Sequence, residues 1–171
     1  MTSILKVSTL KDPTNSNTAM SIDSSGRILT PARPAFRAFL DTATGNTDFT
    51  SSSPLTTLNF DTVAFNIGNH FDLSTNEFTA PVSGLYQINC HLVSGSATAV
   101  TTARLEPYIN DGAMTGDATS KEDPQGGGKY SLTYNHLLQL SANDRLEFRH
   151  LHLSDNTVSI EYAEFSGFLV G

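Results

Sequence analysis

The run Ala64-Phe65-Asn66-Ile67-Gly68-Asn69-His70-Phe71-Asp72, followed by Phe78-Thr79-Ala80-Pro81-Val82-Ser83-Gly84-Leu85-Tyr86-Gln87-Ile88-Asn89-Cys90-His91-Leu92, decides how the rest of the chain is read. Pro81 and Gly84 bracket a turn between two β-rich runs. Past Gly84 the side chains alternate. Tyr86, Ile88, Cys90 and Leu92 share one face; Leu85, Gln87, Asn89 and His91 share the other. A period of two predicts a strand here and argues against a helix.

Working outward, the same signals predict strands at 35–40, 58–66, 74–79, 84–93, 103–109, 130–140, 144–153, 157–162 and 165–170. Pro107 inside one of them points to an edge or a bulge. Residues 41–57 read as a Thr/Ser/Gly/Asn loop, 94–100 as a small polar loop, and 110–128 as a long polar insertion ending in Gly126-Gly127-Gly128. Many short strands with regular turns and no helical pattern predict an all-β sandwich or jelly roll over residues 34–171. Residues 1–33 differ. Ile4-Leu5-Lys6-Val7, Ala19-Met20-Ser21-Ile22 and Ile28-Leu29 are short apolar pieces separated by the turn formers Asp12-Pro13-Thr14-Asn15-Ser16-Asn17 and Ser24-Ser25-Gly26-Arg27. So little strand cannot bury a core alone. The expectation is an attachment segment, ordered by another copy or another protein, with Pro31 and Pro34 marking the linker.

Seventeen acidic against ten basic residues leave a net charge of −7. That argues against a nucleic-acid partner and an anionic membrane surface. No stretch approaches transmembrane length, and no N-terminal apolar h-region marks a signal peptide. The single cysteine, Cys90, lies on the apolar face of its strand, where a buried inert thiol is expected. No hydrolase elbow, zinc motif or P-loop occurs, and Gly126-Gly127-Gly128-Lys129-Tyr130 lacks the Walker spacing, so no enzyme and no cofactor is expected. Asn110-Asp111-Gly112 lacks the alternating ligands of an EF-hand and reads as a turn; a Ca²⁺ site from Asp111, Asp117, Glu122 or Asp123 is conceivable on composition alone.

The closing strand carries an argument about assembly. Phe165, Gly167 and Leu169 face one way, Ser166, Phe168 and Val170 the other, and both faces are largely apolar. A sandwich strand has only one face on its own core, so another subunit is the simplest cover for the second. Leu85 and Val93 add apolar groups to the non-core face of the Tyr86 strand.

Four motifs carry a resemblance. Phe71-Asp72 through Phe78-Thr79-Ala80-Pro81 to Gly84-Leu85-Tyr86, the opening Ala35-Phe36-Arg37-Ala38-Phe39, the step Leu140-Ser141-Ala142-Asn143-Asp144-Arg145-Leu146, and the closing Phe165-Ser166-Gly167-Phe168-Leu169-Val170 occur in order and resemble the C1q/TNF-like jelly roll. The resemblance implies a homotrimer packed through the sheet that holds the first, third and last strands. It makes Leu85, His91, Phe165, Phe168 and Val170 the expected trimer interface. His91, then His150, is the expected histidine nearest the threefold axis, where three imidazoles would meet. The run Met20-Ser21-Ile22-Asp23-Ser24-Ser25-Gly26-Arg27-Ile28-Leu29, with Leu5-Lys6-Val7, resembles the beginning of structural proteins from tailed bacteriophages of marine bacteria. It implies a virion protein, assembled in the host cytoplasm, whose residues 1–33 bind other virion proteins.

The reading that follows is a trimeric tail or fibre component that presents its head to a host-surface glycan or protein. A capsid-decorating or adaptor protein without a receptor role, and a free C1q-like lectin, are the alternatives. Strand parity puts loop 41–57, loop 94–100 and the Ser141-Ala142-Asn143 turn at the end far from Pro34. The Pro81–Gly84 turn, loop 110–128 and the Ser154-Asp155-Asn156 turn fall at the near end or flank. Thr47, Asp48, Phe49, Ser96, Ala97 and Thr98 are therefore the expected ligand-facing residues.

Overall fold

The chain begins as a small antiparallel meander, β1 (Thr9–Lys11), β2 (Thr18–Ile22) and β3 (Ile28–Leu29). In the computed structural model the described residues are 6–41, 47–49, 55–95, 100, 102–114, 116, 119–122, 128–153 and 157–171. Both meander turns are tied by aspartates. Asp12 Oδ1 accepts from the amides of Thr14 and Asn15, and Asp23 Oδ1 from those of Ser25 and Arg27. These Asx turns close both connections of the meander through local side-chain bonds.

The head follows: β4 (Ala35–Leu40), β5 (Thr47–Phe49), β6 (Thr56–Thr57), β7 (Thr62–Ile67), β8 (Phe71–Asp72), β9 (Glu77–Thr79), β10 (Gly84–Ser94), β11 (Thr102–Ile109), β12 (Gly112–Ala113), β13 (Thr119–Glu122), β14 (Ser131–Leu140), β15 (Arg145–Leu153) and β16 (Val158–Leu169). The first sheet has the order β14-β10-β16-β4-β7, with β5 added to β16. The second has β12-β11-β15-β9-β8, with β13 on β11 and β6 on β15. All the pairings are antiparallel. This is the expected all-β jelly roll.

Why the quoted stretch decides the fold is visible in the core. Phe36 stacks on Phe71 and Phe78 at 5.2 and 4.6 Å and meets Phe165 edge-on at 4.8 Å; Phe78 in turn abuts Tyr86. The motif phenylalanines are thus one aromatic cluster joining both sheets, a large apolar contribution with favoured ring geometry. The tight turn before β10 also has a steric reason. A Cβ on Gly84 would stand 2.8 Å from Leu169 and 3.1 Å from the Gly171 carbonyl.

Three expectations change. The region 157–170 is one twelve-residue strand rather than two, with a register irregularity opposite Val93 and Ser94. The loop 41–57 contains β5 and β6. The insertion 110–128 first makes a hairpin at Asn110–Asp111, both in the left-handed region, and then returns along β11 as β13. β13 pairs with residues 102–105 and β12 with Tyr108 and Ile109, so the Pro107 nitrogen, which has no hydrogen to donate, sits in the gap between them, while its carbonyl accepts from the Met114 amide.

Candidate functional site

Register lays out the outward face of the first sheet in rows. One row is Leu137, Gln87, Phe168, Ala35 and Ile67; the next is Asn135, Asn89, Ser166, Arg37 and Phe65; a third is Thr133, His91, Glu164 and Phe39. Leu85 and Val170 lie at the base, where the Val170 amide donates to the Leu85 carbonyl. Six large apolar side chains, Leu85, Phe168, Val170, Leu137, Phe65 and Ile67, are each between 41% and 57% exposed. They gather at the end where Pro34 leads into β4. A contiguous apolar patch of this kind marks an interaction surface on a soluble protein.

Toward the other end the face turns polar. Gln87 Nε2 donates to Asn135 Oδ1 at 2.9 Å, and His91 Nδ1 lies 2.9 Å from Thr133 Oγ1. Glu164 Oε2 accepts from Arg37 Nη2 at 2.7 Å and from the Tyr162 hydroxyl at 2.6 Å. The Arg37 bond, against the opposing effect of burial, holds the Glu164 carboxyl below the usual carboxylate range.

The outward face of the second sheet is built differently. Arg149 Nε donates to Glu147 Oε1 at 2.8 Å, and its guanidinium covers the Tyr108 ring at 4.0 Å. Thr57 on β6 donates to the other Glu147 oxygen at 2.9 Å. Arg145 bridges Asp111 and Glu77, and Arg104 lies 3.3 Å from Glu106. Asp111, considered for Ca²⁺, is committed to arginines; Asp117, Asp123 and the Glu122 side chain lie outside the described residues. Among the described residues no group of three acidic, histidine or cysteine side chains is placed to hold a metal.

Of the expected interface residues, Leu85, Phe168 and Val170 lie on the open face, and His91 is half-buried on it. Phe165 does not. It is fully buried in the chain's own core, because its register partner is Cys90 on the inward side of β10. His150 is likewise removed from the axis. With His152 it points into the core, its Nε2 2.9 Å from the Tyr130 hydroxyl and its ring 5.7 Å from that of His152. Leu137, Phe65, Ile67 and the Arg37–Glu164–Tyr162 trio were missed. Alternation along β14 exposes Leu137, but a register shift opposite Arg37 and Ala38 hides which side Phe65 takes.

The expected ligand-facing residues separate. Thr47, Asp48 and Phe49 form β5 against Ile160, Ser159 and Val158, the end of β16 opposite Pro34, as parity required. Ser96, Ala97 and Thr98 lie outside the described residues, but Gly95 bonds the Ser159 carbonyl at the same end. Two turns are misplaced by parity. Ser141–Asn143 packs beside the Pro81–Gly84 turn at the near end, where the Ala142 amide donates to Ser83 Oγ. Leu153 and Val158, which flank 154–156, stand at the far end. β13 is the cause: one unforeseen strand reverses the direction of all that follows.

A C1q domain model matches residues 38–170. Among solved structures, the globular domain of zebrafish complement 1qA protein superposes with TM-score 0.56 at 18% identity, covering 81% of this chain and 98% of its own. A tumour necrosis factor, Eiger from S. frugiperda, superposes with TM-score 0.62 at 12% identity, covering 82% and 94%. Domains of this type typically form homotrimers and are generally non-enzymatic. With the family model spanning most of its length and the jelly roll behind it, the chain belongs to the C1q domain family.

Proposed function

We propose that the protein is a non-enzymatic homotrimer of a bacteriophage particle. Residues 1–33 join it to other virion proteins, and the head presents its far end to a host-surface glycan or protein. The observation that carries the trimer is the open face of the first sheet, whose six large apolar side chains are each between 41% and 57% exposed in the single chain. The virion reading is supported by the resemblance of the N-terminal run, and the presenting end by the position of β5 opposite the linker. Sedimentation equilibrium should give three times the chain mass; a monomer across the micromolar range overturns the assembly. An antibody to the head should label purified phage particles, with labelling lost on removal of residues 1–33; a truncated head that still incorporates discards the attachment role. Phe49→Ala should lower adsorption to host cells with the trimer intact. Unchanged adsorption there removes β5 from the ligand-facing set.

A further inference from the structure

The N-terminal meander has two unlike faces. Direct register pairs Leu10 with Met20 and Ile22 with Ile28, which puts these four apolar side chains on one side; Thr9, Ser21 and Leu29 take the other. Ile28 is 64% exposed, Leu10 44% and Ile22 38%. A three-stranded sheet has no second layer with which to cover such a face. Its turns are nevertheless closed by Asp12 and Asp23, so the face is presented by an ordered sheet rather than by an unfolded tail.

The linker decides what covers it. Residues 30–34 can span about 17 Å at full extension, and they are shorter in practice, since the Arg33 amide turns back to the Thr30 carbonyl. Pro34 is buried and its carbonyl accepts from Leu169, one residue from Phe168, whose register partner is Ala35. The linker therefore leaves the head beside the apolar half of its open face. A cavity of about 410 Å³, lined by Ala19, Thr30, Arg33, His70, Val82 and Leu169 among others, lies between the meander and the base of the head. When heads associate through that face, their linkers are brought together and each meander meets the others at high effective concentration. Among the described residues, the fold itself delivers no other occupant to the face.

We propose that the Leu10, Met20, Ile22 and Ile28 face packs against the same face of the other two copies, forming a second apolar layer of the trimer beneath the heads. This rests on the trimeric reading above, and the two are separable by experiment. The opposite side carries Thr9, Ser21 and Leu29, and Ala19, which shares it, lines the cavity under the head.

The full-length protein with Ile28→Cys is treated with a short bis-maleimide cross-linker and compared with Thr9→Cys on the opposite side. The native thiol does not interfere, because Cys90 is buried and burial raises its pKa. Ile28→Cys should give covalent dimers at least tenfold faster than Thr9→Cys; with one reactive thiol per chain, the linker joins two of the three copies. Equal or absent cross-linking of both variants, in protein that still sediments as a trimer, overturns this inference and leaves the trimer standing; a second protein as the true occupant gives that result. Sedimentation as a monomer overturns both. The paired change Ile22→Asp with Ile28→Asp should lower the trimer's association by tenfold or more while the heads keep their fold, read by circular dichroism. Unchanged association overturns the inference.

Discussion

The two sheets of the head finish their outward faces in opposite ways. On the second sheet, three arginines and four carboxylates close on one another: Arg149 on Glu147 and Asp111, Arg145 on Asp111 and Glu77, Arg104 on Glu106. Glu147 and Glu106 are almost wholly buried in that network. The face of the first sheet carries the charged group Arg37–Glu164–Tyr162 and the uncharged pairs Gln87–Asn135 and His91–Thr133, and leaves six large apolar side chains about half exposed. The same alternating pattern made both faces. The chemistry of the outward residues distinguishes a face finished for water from one that, on the trimeric reading, meets a subunit. Polar groups satisfied within the chain gain nothing from a partner, whereas apolar area gains about 25 cal/mol for each Å² covered.

The largest effect that would break this contrast is on assembly. Phe168→Asp places a charge in the middle of the apolar rows, where association would bury it unpaired. The expected outcome is a folded monomer, with trimer affinity down at least a hundredfold by sedimentation. A Phe168→Asp trimer would show that the open face is not the contact. Arg149→Ala on the other sheet should do the reverse. It strips Glu147 of its main partner and uncovers Tyr108, which should cost about 3 kcal/mol in denaturant unfolding, with the trimer unchanged. Dissociation of the Arg149→Ala protein would mean that the second sheet also meets a subunit.

Acid acts on the second sheet from inside. Desolvation, with the neighbouring charge of His152 second, lowers the His150 pKa from 6.5 to about 3. The imidazole is thus neutral in the fold and ready to protonate once unfolded. Its contribution is whole above pH 6.5 and drains away as the pH falls from 6.5 toward 3, by about 2 kcal/mol at pH 5. Unfolding free energy measured from pH 7 to 5 should fall accordingly, and His150→Gln should flatten the slope. An unchanged slope in that variant would place the acid sensitivity elsewhere.

Much of this architecture is legible in the chain, and the failures have physical causes. β10 reads cleanly because an apolar residue recurs at every second position from Tyr86 to Leu92 and its other side is mostly polar. β16 does not, since both of its sides are apolar: alternation groups Phe165 with Gly167 and Leu169 correctly but cannot say which group is inside. Only the register with Cys90 settles it, and register is a property of pairing. β13 is invisible because Thr119-Ser120-Lys121-Glu122 has no apolar alternation; it is held by the β11 ladder, and its omission turned two later loops to the wrong end. The strands of the meander are legible as short apolar runs, but the turns that Asp12 and Asp23 close are side-chain bonds that an apolar pattern does not register.

The smallest test concerns the Arg37–Glu164 ion pair on the apolar sheet. Arg37 and Glu164 have side chains 40% and 27% exposed in the single chain, so in a monomer their pair would be screened and contribute under about 1 kcal/mol. Covered by neighbouring subunits, the pair loses that screening, and Tyr162 and Arg37 both depend on Glu164 Oε2 for a partner. Glu164→Gln keeps the shape of the side chain and removes only its charge, leaving the Arg37 guanidinium unbalanced at the contact. Trimer association should weaken about tenfold, equivalent to about 1.4 kcal/mol, and Arg37→Met combined with Glu164→Gln should recover most of the loss, because the unpaired charge is gone. High salt should leave the wild-type trimer nearly unaffected, since a covered pair is poorly screened. If Glu164→Gln and wild type associate equally, the polar end of the face stays open to solvent in the trimer, and the subunits meet through the apolar rows near Phe168 alone.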